Sequence, residues 1–452
     1  MIVFRLLTAR LRFALAVLLL NFAVLLVARA VFALMFAGTG GTHAWREVLQ
    51  GLYLGAKFDL RLALTIVVPI LLGSWLPGLN IVRSRIARFL WAGYLGLTAL
   101  AYAVFYLFDF GHYAYLGTRL NASLLRLLAT PDIAFEVAWE SYPVVWSTLG
   151  MLAFAGAMAW LQWRLAIPLL DRKGWAHPRW RRIAIGTVCW FLVLFGMYGK
   201  FSWYPLRWSE AFFVADPYVN ALGLNPVLYF LDTYENRSLG YDEKAVREHY
   251  AEVAAYLGIE NPDAATLNFT RTLRPQGRTQ EPFNVVLIHL ESFAARYTGV
   301  FGNGAHPTPA FDAIANAGLL FTNYYVPSPG TARSVFTALT GLPDVMGAGS
   351  TATRNPQLVD QHVLFNDFQG YRRFYFLGGS ASWGNIRGLV SRNIAGVTLY
   401  EEGSYQSPRA DGWGISDLDL FIEANAVLRK AEHQPFVAMI QTAGNHRPYT
   451  IP

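Results

Sequence analysis

Apolar residues fill the first two hundred positions in long runs, then give way to short runs separated by polar connectors. Five runs, near 13–36, 62–79, 89–108, 143–163 and 183–199, are long enough or nearly so to cross a bilayer core, which takes about 20 residues. They predict a five-helix membrane domain over 1–200. The opening MIVFRLLTAR could pass for a secretory leader. Its apolar run is too long, however, and no small-residue cleavage site precedes the next run, so a retained helix is expected. From 201 to 282 the pattern is that of a linker. KFSWYPLRWSEAFFVADPYVNALGLNPVLYFL is aromatic and punctuated by proline, which suits a membrane interface. DEKAVREHYAEVAAYLGI has helical spacing, and NPDAATLNFTRTLRPQGRTQEP reads as a polar connector. Over 283–452 the period changes again. FNVVLIHL is nearly all apolar, as expected of a central parallel strand covered on both faces, and LLFTNYYV, RRFYFLG and PFVAMIQT read as further strands. Helical runs such as SDLDLFIEANAVLRKAE lie between them. That alternation predicts an open α/β sheet, whose ligands bind at the carboxyl ends of the strands.

Composition sharpens this division. The 452 residues are 54% hydrophobic and 15% charged, against about 25% charged in an ordinary soluble domain. The net charge of +7 does not point to nucleic acid, because the arginines cluster between apolar runs. Arg5, Arg10 and Arg12 precede the first run, and Arg83, Arg85 and Arg88 join the second and third. Arg164, Arg172, Lys173, Arg179, Arg181 and Arg182 join the fourth and fifth. By the positive-inside rule the N-terminus is cytoplasmic and everything after residue 200 lies outside. Arg29 interrupts the first run, with snorkelling to the outer surface or a lipid-headgroup contact as its expected roles. The only cysteine, Cys189, lies in an apolar run, which excludes a disulfide within the chain, a cysteine metal site and a cysteine nucleophile in the outer half.

Glu291, Thr331 and His446 each follow a strand-like run, so one sheet edge could gather them. Taken singly they are a strand-end carboxylate, a helix cap and a loop histidine. Taken together, a carboxylate and a hydroxyl at adjoining strand ends can share a hard divalent cation. Coordination would supply the activation that a threonine hydroxyl lacks as a nucleophile. A helix starting after Thr331 would turn oriented N–H groups toward an anion.

NVVLIHLESF followed by HPTPAFDAIANAGLLFTNYYVPSPGTARSVFTALTG resembles the sulfatase-like branch of the alkaline phosphatase superfamily. More narrowly, the chain resembles the lipoteichoic acid synthase and phosphoglycerol transferase group. GAKFDL, GTRLNASLLRLLATP, PLRWSEAF and WGISDLDLF extend the resemblance over nearly the whole chain. It implies a membrane-anchored, metal-dependent transferase with an extracytoplasmic or periplasmic catalytic domain on a bacterial cytoplasmic membrane. Glu291 would be a metal ligand, and Thr331 both a ligand and the nucleophile that becomes phosphorylated. In SWGNIR, Trp383 and Arg387 would contact phosphoglycerol, with Asn385 a competing contact because the match is gapped by a residue. His446 in GNHRPY would donate a proton or touch phosphate, and Arg333 would touch phosphate or be a packing arginine. The implied cofactor is a divalent cation, manganese ahead of magnesium or zinc. The implied donor is an anionic phospholipid, phosphatidylglycerol, and the acceptor a hydroxyl of a polymer, glycan or glycolipid.

Several alternatives stay open. A sulfatase needs a cysteine or serine converted to formylglycine within Cys/Ser-x-Pro-x-Arg, whereas GTARS has threonine and no proline. Phosphoethanolamine transferases share the threonine but usually carry disulfides, which an outer half without cysteine does not. A non-catalytic membrane-tethered binding protein is the rival class. The resembled family also completes its metal site with an Asp-His pair downstream of the histidine matched to His446, and no Asp-His dipeptide occurs here. The resemblance therefore implies either a fragment, a sulfatase-like domain incomplete at its C-terminal side, or a decayed relative, with the fragment favoured because the motifs present are intact. Such a chain is expected to bind its cation weakly and not to turn over lipid.

Overall fold

The computed structural model describes residues 7–38, 43–122, 124–125, 139, 143–171, 178–234, 242–272, 282–326, 328–344, 352–355, 359–431 and 434–451. Arg5, Arg172 and Lys173 of the basic loops, most of the segment 123–138 and the connector 273–281 lie outside the described residues.

Five long helices form the first half: α1 (Ala9–Phe36), α2 (Trp45–Gly73), α3 (Arg85–Leu116), α4 (Val144–Ala166) and α5 (Arg179–Tyr198). Side chains start two of them. The Thr8 hydroxyl accepts from the Leu11 amide at 3.4 Å, and that of Ser84 from the Ala87 amide at 3.2 Å, each satisfying a donor that the helix leaves unpaired. Among the described residues four helices are long and apolar enough to cross a membrane: α1, α3, α4 with the turn that extends it to Asp171, and α5. The run expected at 62–79 differs. It belongs to α2, which ends at Gly73 and carries Lys57, Asp59 and Arg61 within its length.

Those charges are partnered inside the protein. Arg29 on α1 is 4% exposed, so neither snorkelling nor a lipid contact describes it. Its guanidinium forks onto Asp59 (Nε–Oδ2 2.7 Å, Nη2–Oδ1 2.6 Å) and also donates to the carbonyls of Leu222 and, at 3.0 Å, Leu224. Asp59 takes a further bond from Asn225 at 2.8 Å. The residues that reach in from 222–225 belong to the aromatic linker, which forms α6 (Pro217–Leu222) and α7 (Pro226–Thr233). Close approach is possible because α2 presents glycine here. A Cβ on Gly55 would lie 2.0 Å from Arg29 Nη1, and one on Gly51 2.8 Å from the Val219 carbonyl. The helix expected from DEKAVREHYAEVAAYLGI is α8 (Glu243–Leu257), capped by Asp242.

The second half contains a four-stranded, all-parallel sheet in the order β1-β4-β2-β3, with β1 (Val285–His289), β2 (Arg372–Leu377), β3 (Val397–Tyr400) and β4 (Phe436–Gln441). Its helices are α9 (Pro309–Ala317), α10 (Thr331–Thr340), α11 (Ile386–Asn393) and α12 (Asp417–Arg429). Successive strand residues point to opposite faces. Tyr375, Leu377, Val437 and Met439 turn to a core shared with Val335 and Leu339 of α10 and Leu389 of α11. Phe374, Phe376, Ala438 and Ile440 turn to Leu420, Ala424 and Leu428 of α12. The first core also takes in Trp208, Phe212, Leu224 and Tyr229, so the linker packs against both the helical half and the sheet domain.

Two strand expectations fail. FNVVLIHL forms β1 at the edge of the sheet rather than at its centre, with Val286, Leu287 and Ile288 exposed at 42, 36 and 47%. LLFTNYYV makes no ladder. Without a pairing partner among the described residues, Leu319, Phe321, Tyr324 and Tyr325 remain exposed. β3, in contrast, is a strand of only four residues with mixed burial, too short for its alternation to stand out in the sequence.

Candidate functional site

Parallel strands in register place their carboxyl ends together: His289 of β1 faces Gln441 of β4, which faces Leu377 of β2. The loops that leave this edge build a shallow pocket, lined among others by Glu291, Thr331, Trp383, Trp413, His446 and, from the linker, Tyr204. Four of the residues singled out from the sequence thus meet at one place.

Thr331 is the first residue of α10 and Gly330 its N-cap, and no side chain caps that helix. The threonine hydroxyl is therefore not engaged in capping. It donates to Glu291 Oε2 at 2.8 Å, while the other carboxylate oxygen accepts from the Ser292 hydroxyl at 2.8 Å. Glu291 is fixed in turn by β4: its amide donates to the Thr442 hydroxyl at 2.9 Å, and the Thr442 amide donates to the His289 carbonyl at 3.1 Å. Thr331 also stands where the unpaired amides of the first turn of α10 give a partial positive charge, which favours an anion.

The opposite wall is aromatic. Trp383 meets Trp413 edge to face with ring centroids 5.8 Å apart, and Trp413 lies 3.9 Å from the imidazole of His446. The loop that bears His446 is anchored by Asp417, whose carboxylate accepts from the amides of Ala443 and Gly444 at 3.0 Å each. Trp413 Nε1 donates to the Arg447 carbonyl at 2.7 Å, which ties the Trp413 segment to the loop that bears His446. Behind Glu291, burial holds the His289 imidazole below its ordinary pKa, opposed in part by the Glu291 carboxylate, and its Nδ1 is a buried atom without a hydrogen-bond partner.

The other residues singled out from the sequence sit elsewhere. Asn385 is 3% exposed in a left-handed backbone conformation, and its side chain donates to the Thr353 carbonyl at 3.2 Å. Arg333 Nη1 lies 3.4 Å from the Asp344 carbonyl. Arg387 belongs to an ion cluster beneath the Trp383 segment, paired with Glu401 and, with Nε at 3.8 Å, with Glu210 of the linker. Glu210 also takes Lys200 Nζ at 2.6 Å and the Ser382 hydroxyl. Burial pushes the Glu210 carboxyl up, but Arg387, Lys200 and Ser382 more than offset it and hold the group below the usual carboxylate range. Arg207 donates to the Ser382 carbonyl at 3.0 Å. The linker thus grips the loop that carries Trp383. Sequence reasoning missed Tyr204, Glu210, Trp413 and Thr442. Only the resemblance at PLRWSEAF and WGISDLDLF marked their neighbourhoods, and nothing local marked Thr442.

Glu291 and Thr331 supply two hard oxygen donors joined by a hydrogen bond, a donor set suited to a divalent cation as part of an oxygen shell. Among the described residues no group of three or more His, Cys, Asp or Glu side chains comes together.

The class follows from this fold and edge. Residues 283–452 match the Sulfatase family model, a family whose members generally use a metal ion. The matched segment follows, in the chain, the four described helices that are long and apolar enough to cross a membrane. Among solved structures, a protein in the alkaline phosphatase superfamily from Vibrio parahaemolyticus is 24% identical, with a TM-score of 0.40 over 47% of this chain and 52% of its own. The lipoteichoic acid synthase LtaP from Listeria monocytogenes is 22% identical, with a TM-score of 0.33 over 38% of this chain and 42% of its own. The lipooligosaccharide phosphoethanolamine transferase EptA from Neisseria meningitidis, an integral membrane protein, is 14% identical, with a TM-score of 0.27 over 98% of this chain and 70% of its own. The chain spans about half the length of the first two.

Proposed function

We propose that the protein transfers phosphoglycerol from phosphatidylglycerol to an acceptor hydroxyl through a covalent intermediate on Thr331. The observation that carries this reading is the Thr331 hydroxyl, free of capping duty, aimed at Glu291 at 2.8 Å in a pocket shared with His446. In the first half-reaction Thr331 Oγ passes its proton to Glu291 and bonds to phosphorus. The diacylglycerol oxygen leaves and takes a proton from His446. In the second, the acceptor hydroxyl passes its proton to His446 and bonds to phosphorus, and Thr331 Oγ departs with the proton that Glu291 returns. Glu291 orients the nucleophile, and the first turn of α10 stabilises charge on the phosphoryl oxygens. A divalent cation held by Glu291 and Thr331, for which manganese is the first choice, would lower the hydroxyl pKa and offset phosphoryl charge. Arg387 acts through the Trp383 segment, as Glu210 does. Asn385 and Arg333 are assigned supporting rather than contacting roles.

We also place residues from about 200 onward outside the cytoplasmic membrane, with α2 as a fifth crossing. A helix of 29 residues is about 43 Å long, enough to span, and Asp59 enters the bilayer neutralised by Arg29. Phosphoethanolamine transfer is the second reading. It is favoured by the Trp383, Trp413 and Tyr204 wall, because aromatic faces attract an ammonium headgroup.

The test is mass spectrometry of the full-length protein with a divalent cation and either phospholipid, together with diacylglycerol release. A glycerophosphoryl adduct on Thr331, lost with turnover in Thr331→Ala, is expected. A phosphoethanolamine adduct instead would select the second reading, and full turnover by Thr331→Ala would overturn both.

A further inference from the structure

The helical half holds a second cavity, far from the strand-end pocket in sequence and in chemistry. It opens between the start of α1, the end of α2 and the first turns of α5, with a volume of about 730 Å³. α5 packs against α2, and none of its residues is buried, so its other apolar side chains face this gap or its surroundings. Ile183, Trp190, Phe191 and Leu194 form one wall, facing Leu11 and Leu71. Arg10, Arg179 and Arg182 stand at one end, and no aspartate or glutamate is among the described lining residues. Arg10 is braced there by a bond from Nη2 to the Ser74 carbonyl at 2.7 Å and by Trp75, over whose ring the guanidinium lies at 5.4 Å.

The dimensions suit a lipid. From Ile183 to Leu194 the wall rises about 16 Å along the helix axis, close to half of a hydrocarbon core about 30 Å thick. The arginines fall within a turn of that wall, at headgroup level. A purely apolar gap would be filled by any acyl chain. One whose mouth is ringed by arginine discriminates by charge, as basic pockets between membrane helices do.

We propose that this cavity is a binding site for one anionic diacyl phospholipid of the leaflet at that end, its phosphate held by Arg10, Arg179 and Arg182 and an acyl chain laid along α5. The lipid would act as a wedge between α1 and α5. The proposal does not depend on the chemistry assigned to Thr331.

The experiment is native mass spectrometry of the full chain in detergent, titrated with phosphatidylglycerol or phosphatidylcholine. The unmodified chain should retain phosphatidylglycerol in preference. Arg179→Gln/Arg182→Gln should weaken that lipid on the order of tenfold and abolish the preference, since each basic group near an anionic surface contributes comparably. Gly186→Leu tests the apolar wall separately. A Cβ at Gly186 meets nothing within 4 Å, so the longer side chain enters the cavity without disturbing the helix, and both lipids should be lost. Equal retention of the two lipids by the unmodified chain, or a preference unchanged in the arginine double variant, would overturn the proposal. Phosphatidylglycerol that survives all these changes but leaves with Trp383→Ala belongs to the strand-end pocket and likewise counts against it.

Discussion

Replacing Glu210 with glutamine tests whether the linker holds the site together. The carboxylate is 14% exposed and faces Lys200, which is 17% exposed, and Arg387, which is 16% exposed. Glutamine keeps an oxygen for Lys200 and Ser382 but removes the charge. A charge-assisted bond contributes about 1.5–3 kcal/mol against about 0.5–1.5 for a neutral one, so two weakened bonds cost about 2 kcal/mol. The loss of Arg387's more distant partner adds to this, and Glu401 limits that addition by keeping one carboxylate on the guanidinium. For a domain of this size about 1 kcal/mol moves the melting temperature by about 2–4 °C, so the full-length protein should melt about 4–8 °C lower. The sign with pH follows from the depressed carboxyl. Its stabilisation is complete above the ordinary carboxylate pKa and is lost as pH falls through the folded value, so parent and variant should converge under acid. Hydrogen exchange should show amides 380–387 opening faster in the variant. A melting temperature within 1 °C of the parent at neutral pH, with protection of that loop unchanged, would refute the clamp; that limit is set at roughly the smallest resolvable fraction of a kcal/mol.

Other outcomes follow from the same contacts. Arg29→Met should cost about 3–5 kcal/mol by stranding Asp59, whereas the double change with Asp59→Leu should recover much of it; a double variant no better than the single would show that the pair itself is needed. Gly55→Ala should destabilise the same junction, read as a lower melting temperature, because its methyl would overlap Arg29. Arg387→Lys should lower turnover by loosening the Trp383 loop, since a point charge cannot replace the planar fork; unchanged kinetics would remove Arg387 from the scheme. A reporter fused after residue 282 should be active only outside the cytoplasm, and cytoplasmic activity would invert the topology.

Much of this architecture was legible because it depends on periodicity alone. The long apolar runs became helices, and RRFYFLG and PFVAMIQT became β2 and β4, whose alternate residues fill two opposed cores. Chain order and a parallel sheet suffice to bring Glu291 and His446 to one edge. Thr331 could be singled out but not interpreted, because whether a hydroxyl at a helix start caps the helix or faces a carboxylate depends on which residue precedes it in space. Here Gly330 takes the cap and Glu291 takes the hydrogen bond. Position within the sheet was equally out of reach: an apolar run reads the same at a centre as at an edge, and β1 lies at the edge. The charges of the helical half show the same division. Arg29 and Asp59 are thirty positions apart, and local composition treats each as a solvent or lipid contact. Only the packing of α1 on α2, through a glycine that admits the linker, converts them into a buried pair. In the same way the sequence determined that 201–234 is aromatic and rich in proline, but its role comes from long-range contacts. Glu210 and Tyr204 gain their places at the site from partners more than a hundred residues away, a separation that no local pattern records.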